Sequence, residues 1–142
     1  MIKIPNLLKE KINLKTITIQ TFFETIDLIT NGEVAGISFE EETNVIAFTS
    51  FGTVSGKIAY LSKREDAHFT SIEGIHKGFI TSRNKRLEYL ENDGIKEVEI
   101  SSGFIPLIDV EIRYFNNSEP SKLDYFLLFA DQVVGLSFGS LH

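Results

Sequence analysis

The chain contains no cysteine, which removes disulfide scaffolds, thiolate zinc sites and cysteine nucleophiles at once. It has no excess of positive charge either. Fourteen basic side chains face 20 acidic ones for a formal net charge of −6, so the molecule as a whole repels nucleic acid and anionic membrane at long range. Internal repeats, low-complexity tracts and dividing linkers are missing. Met1 to Glu10 holds no uninterrupted apolar stretch, and no secretory signal is expected there. The longest membrane-like run, Tyr125 to Leu141, has Asp131 and Gln132 near its middle. A charge there costs about 2.5–3.5 kcal/mol on insertion scales, so no span is expected. The sequon Asn116-Asn117-Ser118 carries no meaning in a cytoplasmic protein, which is the expected setting.

Signatures of catalysis are equally scarce. Gly52, Gly56 and Lys57 have the wrong spacing for a phosphate loop, and Ile58 stands where a hydroxyl residue should follow the lysine. Asp66, His68, Glu73 and His76 include two types of metal-ligating side chain but match no recognised ligand spacing. No Gly-x-Ser-x-Gly elbow accompanies Thr70, Ser71 or Ser82. The expectation is a protein that is not an enzyme, with no metal and no cofactor.

What is present is the composition of one globular domain. The 142 residues are 42% hydrophobic and 24% charged, enough to close a core over residues 1–142. Residues 1–31 read as an N-terminal helical segment packing on a β-rich body of residues 33–142. Pro5 to Ile12 suits a short helix, and Lys15 to Gln20 alternates as a strand would. Thr21 and Glu24 have capping-box spacing. Phe22, Phe23, Ile26 and Ile29 follow at helical spacing, and Asn31-Gly32 supplies the stop.

Past Gly32 the period becomes two. Ala35, Ile37 and Phe39 mark one strand, Val45 to Ser50 a second, and Thr53 to Leu61 a third with Val54, Gly56, Ile58 and Tyr60 inward and Ser55 and Lys57 outward. Asn92-Asp93-Gly94 lies between two alternating runs, 86–91 and 95–100, which is a hairpin signal, with a helix over 84–91 as its rival. Phe104 to Phe115 reads as a strand with Ile108, Val110, Ile112 and Tyr114 inward. Leu123 to Ala130 and Val133 to Phe138 read as a pair joined at Asp131-Gln132. The fold class is therefore mainly β, of the α+β kind: one or two N-terminal helices and a small, strongly bent antiparallel sheet or SH3/Sm-like small barrel of about six to eight short strands. The resemblance to Sm-like and SH3-like barrels is one of layout. Ala130-Asp131-Gln132 stands where an Arg-Gly-Asn type turn would mark the Sm family, so no RNA-binding residue is assigned by it.

The most pointed segment is Tyr125 to Ala130. Tyr125, Leu127 and Phe129 share one face of a strand, and Phe126, Leu128 and Ala130 the other. A strand apolar on both faces needs cover on both sides. The predicted function follows: a non-enzymatic interaction module acting through protein contacts, either with itself as a homo-oligomer or with another protein. Tyr125, Phe126, Leu128, Phe129 and Val133 are the candidate contact residues. An alternative uses the one basic island, where Lys77, Phe79, Arg83, Lys85 and Arg86 combine cations with an aromatic ring as single-stranded RNA binding requires. A further alternative is an acidic inhibitor or immunity-type protein that caps a basic partner with Glu97, Glu99, Asp109 and Glu111.

Overall fold

The computed structural model describes residues 14–59, 71–95 and 103–140. The chain divides into two compact units, residues 14–58 with 102–142 and residues 1–13 with 59–101. The short helix expected at Pro5 to Ile12, the inward Tyr60, and His68, Asp66, Glu97 and Glu99 lie outside the described residues.

The larger unit is mixed α+β and mostly sheet. Helix α1 spans Leu14–Thr30, eight residues longer at its start than the capping-box pattern implies, in which Thr21 is the cap and Phe22 the first helical residue. Lys15 to Gln20 is therefore helix rather than strand. Ile19, Phe23 and Ile26 fall four and three residues apart and form one buried stripe, so the 3.6-residue period prevails over the local alternation. Three threonines tolerate the helix because each hydroxyl donates to the carbonyl one turn back: Thr18 to Leu14, Thr25 to Thr21 and Thr30 to Ile26, at 2.7–2.8 Å. Thr21 caps nothing, and Glu24 accepts instead from the Gln20 amide at 3.1 Å.

The stop at Asn31-Gly32 is as expected. Gly32 has φ +73°, and the Gly32 and Glu33 amides donate to the Ile29 and Leu28 carbonyls at 3.1 and 2.9 Å, which closes the helix in a Schellman motif. The expected strand at Ala35 to Phe39 is absent. Gly36, with φ +80°, turns the backbone at its centre, and residues 31–43 form turns and loop.

Five strands follow: β1 Asn44–Thr49, β2 Gly52–Ile58, β3 Phe104–Tyr114, β4 Ser121–Phe129 and β5 Val133–Gly139. Every pair is antiparallel, in the order β4-β3-β2-β1-β5. β4 and β5 are thus not partners, contrary to the hairpin expected around Asp131-Gln132. The turn Ala130–Gln132, a single 3-10 turn, carries the chain from one edge of the sheet to the other. Four residues reach at most about 14 Å, whereas the edges of a flat five-stranded sheet stand about 19 Å apart. The sheet therefore curls, and it remains open among the described strands.

One face of the sheet holds the core, in which Val45, Ala47, Val54, Ile105, Leu107 and Leu128 pack with Phe23 of α1. Gly103 lets α1 approach closely: a Cβ there would sit 2.7 Å from Oγ1 of Thr16. Within β2, Val54, Gly56 and Ile58 are buried as expected. Ser55, expected outward and exposed, is buried, and its hydroxyl approaches the Glu111 carbonyl at 3.5 Å.

One irregularity decides which face each side chain of β3 takes. Asp109 has φ 51°, and the β2–β3 register shifts between Ser55 and Lys57. The extra residue resets the alternation, as a bulge does. Val110 and Ile112 remain inward. Ile108, expected beside them, pairs with exposed Lys57 while Leu107 pairs with buried Ile58, so Ile108 faces outward.

In the other unit a helix, α2, spans Ser71–Asn92. It replaces the hairpin expected around Asn92-Asp93-Gly94. Gly94 has φ +95°, and the Gly94 and Ile95 amides donate to the Glu91 and Leu90 carbonyls at 3.1 and 3.0 Å. Asp-Gly here ends a helix, because a Schellman cap needs the same positive φ as a hairpin turn.

Candidate functional site

The register of β3 with β4 builds one continuous feature on the sheet's outer side. Ile105 pairs with Leu128 and Leu107 with Phe126 on the core side. The intervening pairs, Phe104 with Phe129, Pro106 with Leu127 and Ile108 with Tyr125, point the opposite way because successive residues alternate. Six apolar or aromatic side chains thus lie in two adjacent rows. Phe104 and Phe129 meet edge-on with centroids 6.0 Å apart. Phe129 is 48% exposed, and Phe104, Pro106, Ile108, Tyr125 and Leu127 are half-buried. Burial raises the Tyr125 phenol above its ordinary pKa.

Of the contact residues named from the sequence, Leu128 and Val133 are part of this chain's own core, and Phe126 packs against it. Tyr125 and Phe129 are on the outer face. Leu127, Phe104, Pro106 and Ile108 complete that face and are not among the contact residues named from the sequence. The same signal identifies them: Phe104 to Ile108 is apolar at every position, just as Tyr125 to Ala130 is.

The basic island lies along α2. Phe79, Arg83 and Arg86 are four and three residues apart and so share one helical stripe, with Lys77 and Lys85 turned away from it. Arg83 donates through Nε and Nη2 to Oδ1 of the buried Asn84 at 3.1 and 2.8 Å. Burial lowers the pKa of Arg83 and of His76, and His76 is 4% exposed.

Asp109 and Glu111 border a shallow depression of about 420 Å³ together with Asn44, Ser55, Lys122 and Asp124. Glu111 accepts from Arg113 Nε at 3.3 Å and lies opposite Lys122. The depression mixes charges of both signs. Among the described residues no group of three or more His, Asp or Glu side chains comes together as a metal site. No described helix is long and apolar enough to cross a membrane. The chain matches no known protein-family model, no curated protein and no solved structure.

Proposed function

We propose that the protein is a non-enzymatic, β-rich cytoplasmic module that works through protein contacts and joins copies of itself through the outer face of β3 and β4. The observation that carries this reading is the set of three outward cross-strand pairs Phe104–Phe129, Pro106–Leu127 and Ile108–Tyr125. A strand pair that faces water on its outer side alternates apolar with polar residues, and this one does not. Apolar surface set in adjacent rows is the form that association surfaces take, and a patch that meets itself about a two-fold axis closes a dimer. The leading helix, the order β4-β3-β2-β1-β5 and the single-turn link between the edge strands support the small-barrel layout for this module.

A cysteine-free chain offers a direct test by disulfide trapping. Tyr125→Cys, placed in the patch, is expected to give a cross-linked dimer under mild oxidation. Ser118→Cys, in the exposed loop before β4, is expected to stay monomeric. Equal trapping of both, or of neither, contradicts the reading.

A second reading is favoured by one placement, that of Phe79, Arg83 and Arg86 on a single stripe of α2. It makes α2 a contact for single-stranded RNA, with the ring stacking a base and the guanidinium groups meeting phosphate. Fluorescence anisotropy with labelled oligonucleotides at low and high salt decides it. Salt-sensitive binding supports it, and no binding at low ionic strength removes it.

A further inference from the structure

The two edges of the sheet are built differently. β4 enters after Pro120 and carries Lys122 and Asp124, the residues that natural edge strands use against unwanted pairing. β5, Val-Val-Gly-Leu-Ser-Phe-Gly, has neither charge nor proline, and no described strand lies on its outer side. Val134 is 77% and Phe138 51% exposed. A row of edge amides and carbonyls accepts one kind of occupant, another extended backbone.

Two neighbours of β5 define which extended backbone. On the α1 side the Phe138 ring lies 6.4 Å from Phe22 and 5.6 Å from Phe39, centroid to centroid. This apolar shelf stands where alternate side chains of an added strand project. At the Gly139 end, Glu41, Glu42, Asn44 and Ser140 line a depression of about 390 Å³, with the Ser140 hydroxyl donating to Glu41 at 3.0 Å. A second copy of β5, laid antiparallel, would bring its own Asp131 toward these two carboxylates, and like charges there oppose the pairing. A strand with a cation at that end meets them favourably.

We infer that the β5 edge is a β-augmentation site for an extended segment of another protein. The segment is added antiparallel, as every strand of this sheet is. Its alternate residues are apolar and rest on Phe138, and a lysine or arginine at its N-terminal end meets Glu41 and Glu42. The inference rests on the reading of the protein as a contact module and uses a different surface from the self-association patch.

The test uses the full chain and a fluorescein-labelled peptide of two lysines followed by alternating valine and serine. Saturable anisotropy is expected, weakened about tenfold or more by Val134→Lys or by Ser137→Lys, which place charge on the exposed edge. Of two peptide versions, each N-methylated on one set of alternate amides, one is expected to lose binding. Replacing the peptide lysines by glutamates is expected to weaken binding to the wild type and to leave Glu41→Gln/Glu42→Gln indifferent. Absence of saturable binding overturns the inference, as does equal binding of both N-methylated versions. Dimerisation abolished by Val134→Lys, without peptide binding, overturns it in favour of a second copy. Peptide binding with failed Tyr125→Cys trapping upholds the edge site and removes only the self-association reading.

Discussion

Phe104 and Phe129 meet edge to face across the β3–β4 pair, 6.0 Å between centroids, on the side of the sheet turned away from the core. Their chain neighbours Ile105 and Leu128 pair on the core side and are fully buried. One strand pair therefore serves two apolar layers, and the two layers should respond differently to substitution. Leu128→Ala is expected to lower unfolding free energy by about 2–5 kcal/mol, the range for a buried leucine. Phe129→Lys, at a half-exposed site, is expected to stay within about 1 kcal/mol of wild type. Urea denaturation of both variants measures the difference, and similar losses would mean that the outer ring is also core.

Thr49 organises the β1–β2 turn through three bonds. Its hydroxyl donates to the Gly52 carbonyl at 2.7 Å and accepts from the Gly52 and Phe51 amides at 3.1 and 3.3 Å. Thr49→Val keeps the shape and removes these partners, and a loss of about 1–3 kcal/mol is expected from the stranded polar groups. Gly52→Ala should be worse, because a Cβ there overlaps the Arg113 carbonyl. Thermal unfolding ranks the two.

Asp109 holds φ 51° within a strand, a conformation that disfavours side chains by about 1–2 kcal/mol. Asp109→Gly is expected to raise stability or leave it level, and Asp109→Val to lower it by more than about 1 kcal/mol. The reverse order in chemical denaturation would mean that β3 runs without its bulge.

Helix and hairpin make opposite predictions for the α2 segment. Gly78 lies within the helix with open space around a would-be Cβ, so Gly78→Ala is expected to add about 0.5–1 kcal/mol. Gly94, at φ +95°, closes the helix, and Gly94→Ala should cost about 1 kcal/mol. Circular dichroism during thermal unfolding reads both.

His76 is buried, and burial lowers its pKa below 6.5. The folded state therefore prefers neutral imidazole while the unfolded chain takes up a proton near pH 6.5. The stability that this residue contributes is present above pH 6.5 and is lost as pH falls through the lower, folded-state value. Wild type is expected to lose more melting temperature between pH 7.5 and pH 5.5 than His76→Gln does, each pH chosen about one unit from the reference value. Equal losses would place the titration elsewhere.

Part of the sheet is legible in the sequence because period two survives there: Val54 to Ile58 and Val110 to Ile112 bury the side chains their alternation assigns inward, and the apolar run at Val45 to Ser50 is strand β1. Asp109 breaks the inference for Ile108, since one residue at positive φ reverses the face of everything before it. Asn92-Asp93-Gly94 misleads because hairpin turns and helix caps ask the same conformation of glycine. Asp131-Gln132 reads as a two-residue hairpin link, yet sheet curvature lets the turn Ala130–Gln132 join opposite edges. The outer patch is half legible: Tyr125 and Phe129 follow from the doubly apolar strand, and Phe104 to Ile108 carries the same all-apolar signal, but which of its residues face outward follows only from the register.

Self-association requires that the outer face of β3 and β4 meet a second copy. Light scattering across a concentration series measures it most directly, comparing wild type with Phe129→Lys. A wild-type mass that rises above the 16.0 kDa of one chain with concentration, and a variant that stays at one chain, is the predicted result. A wild type that holds the mass of one chain throughout the series contradicts it.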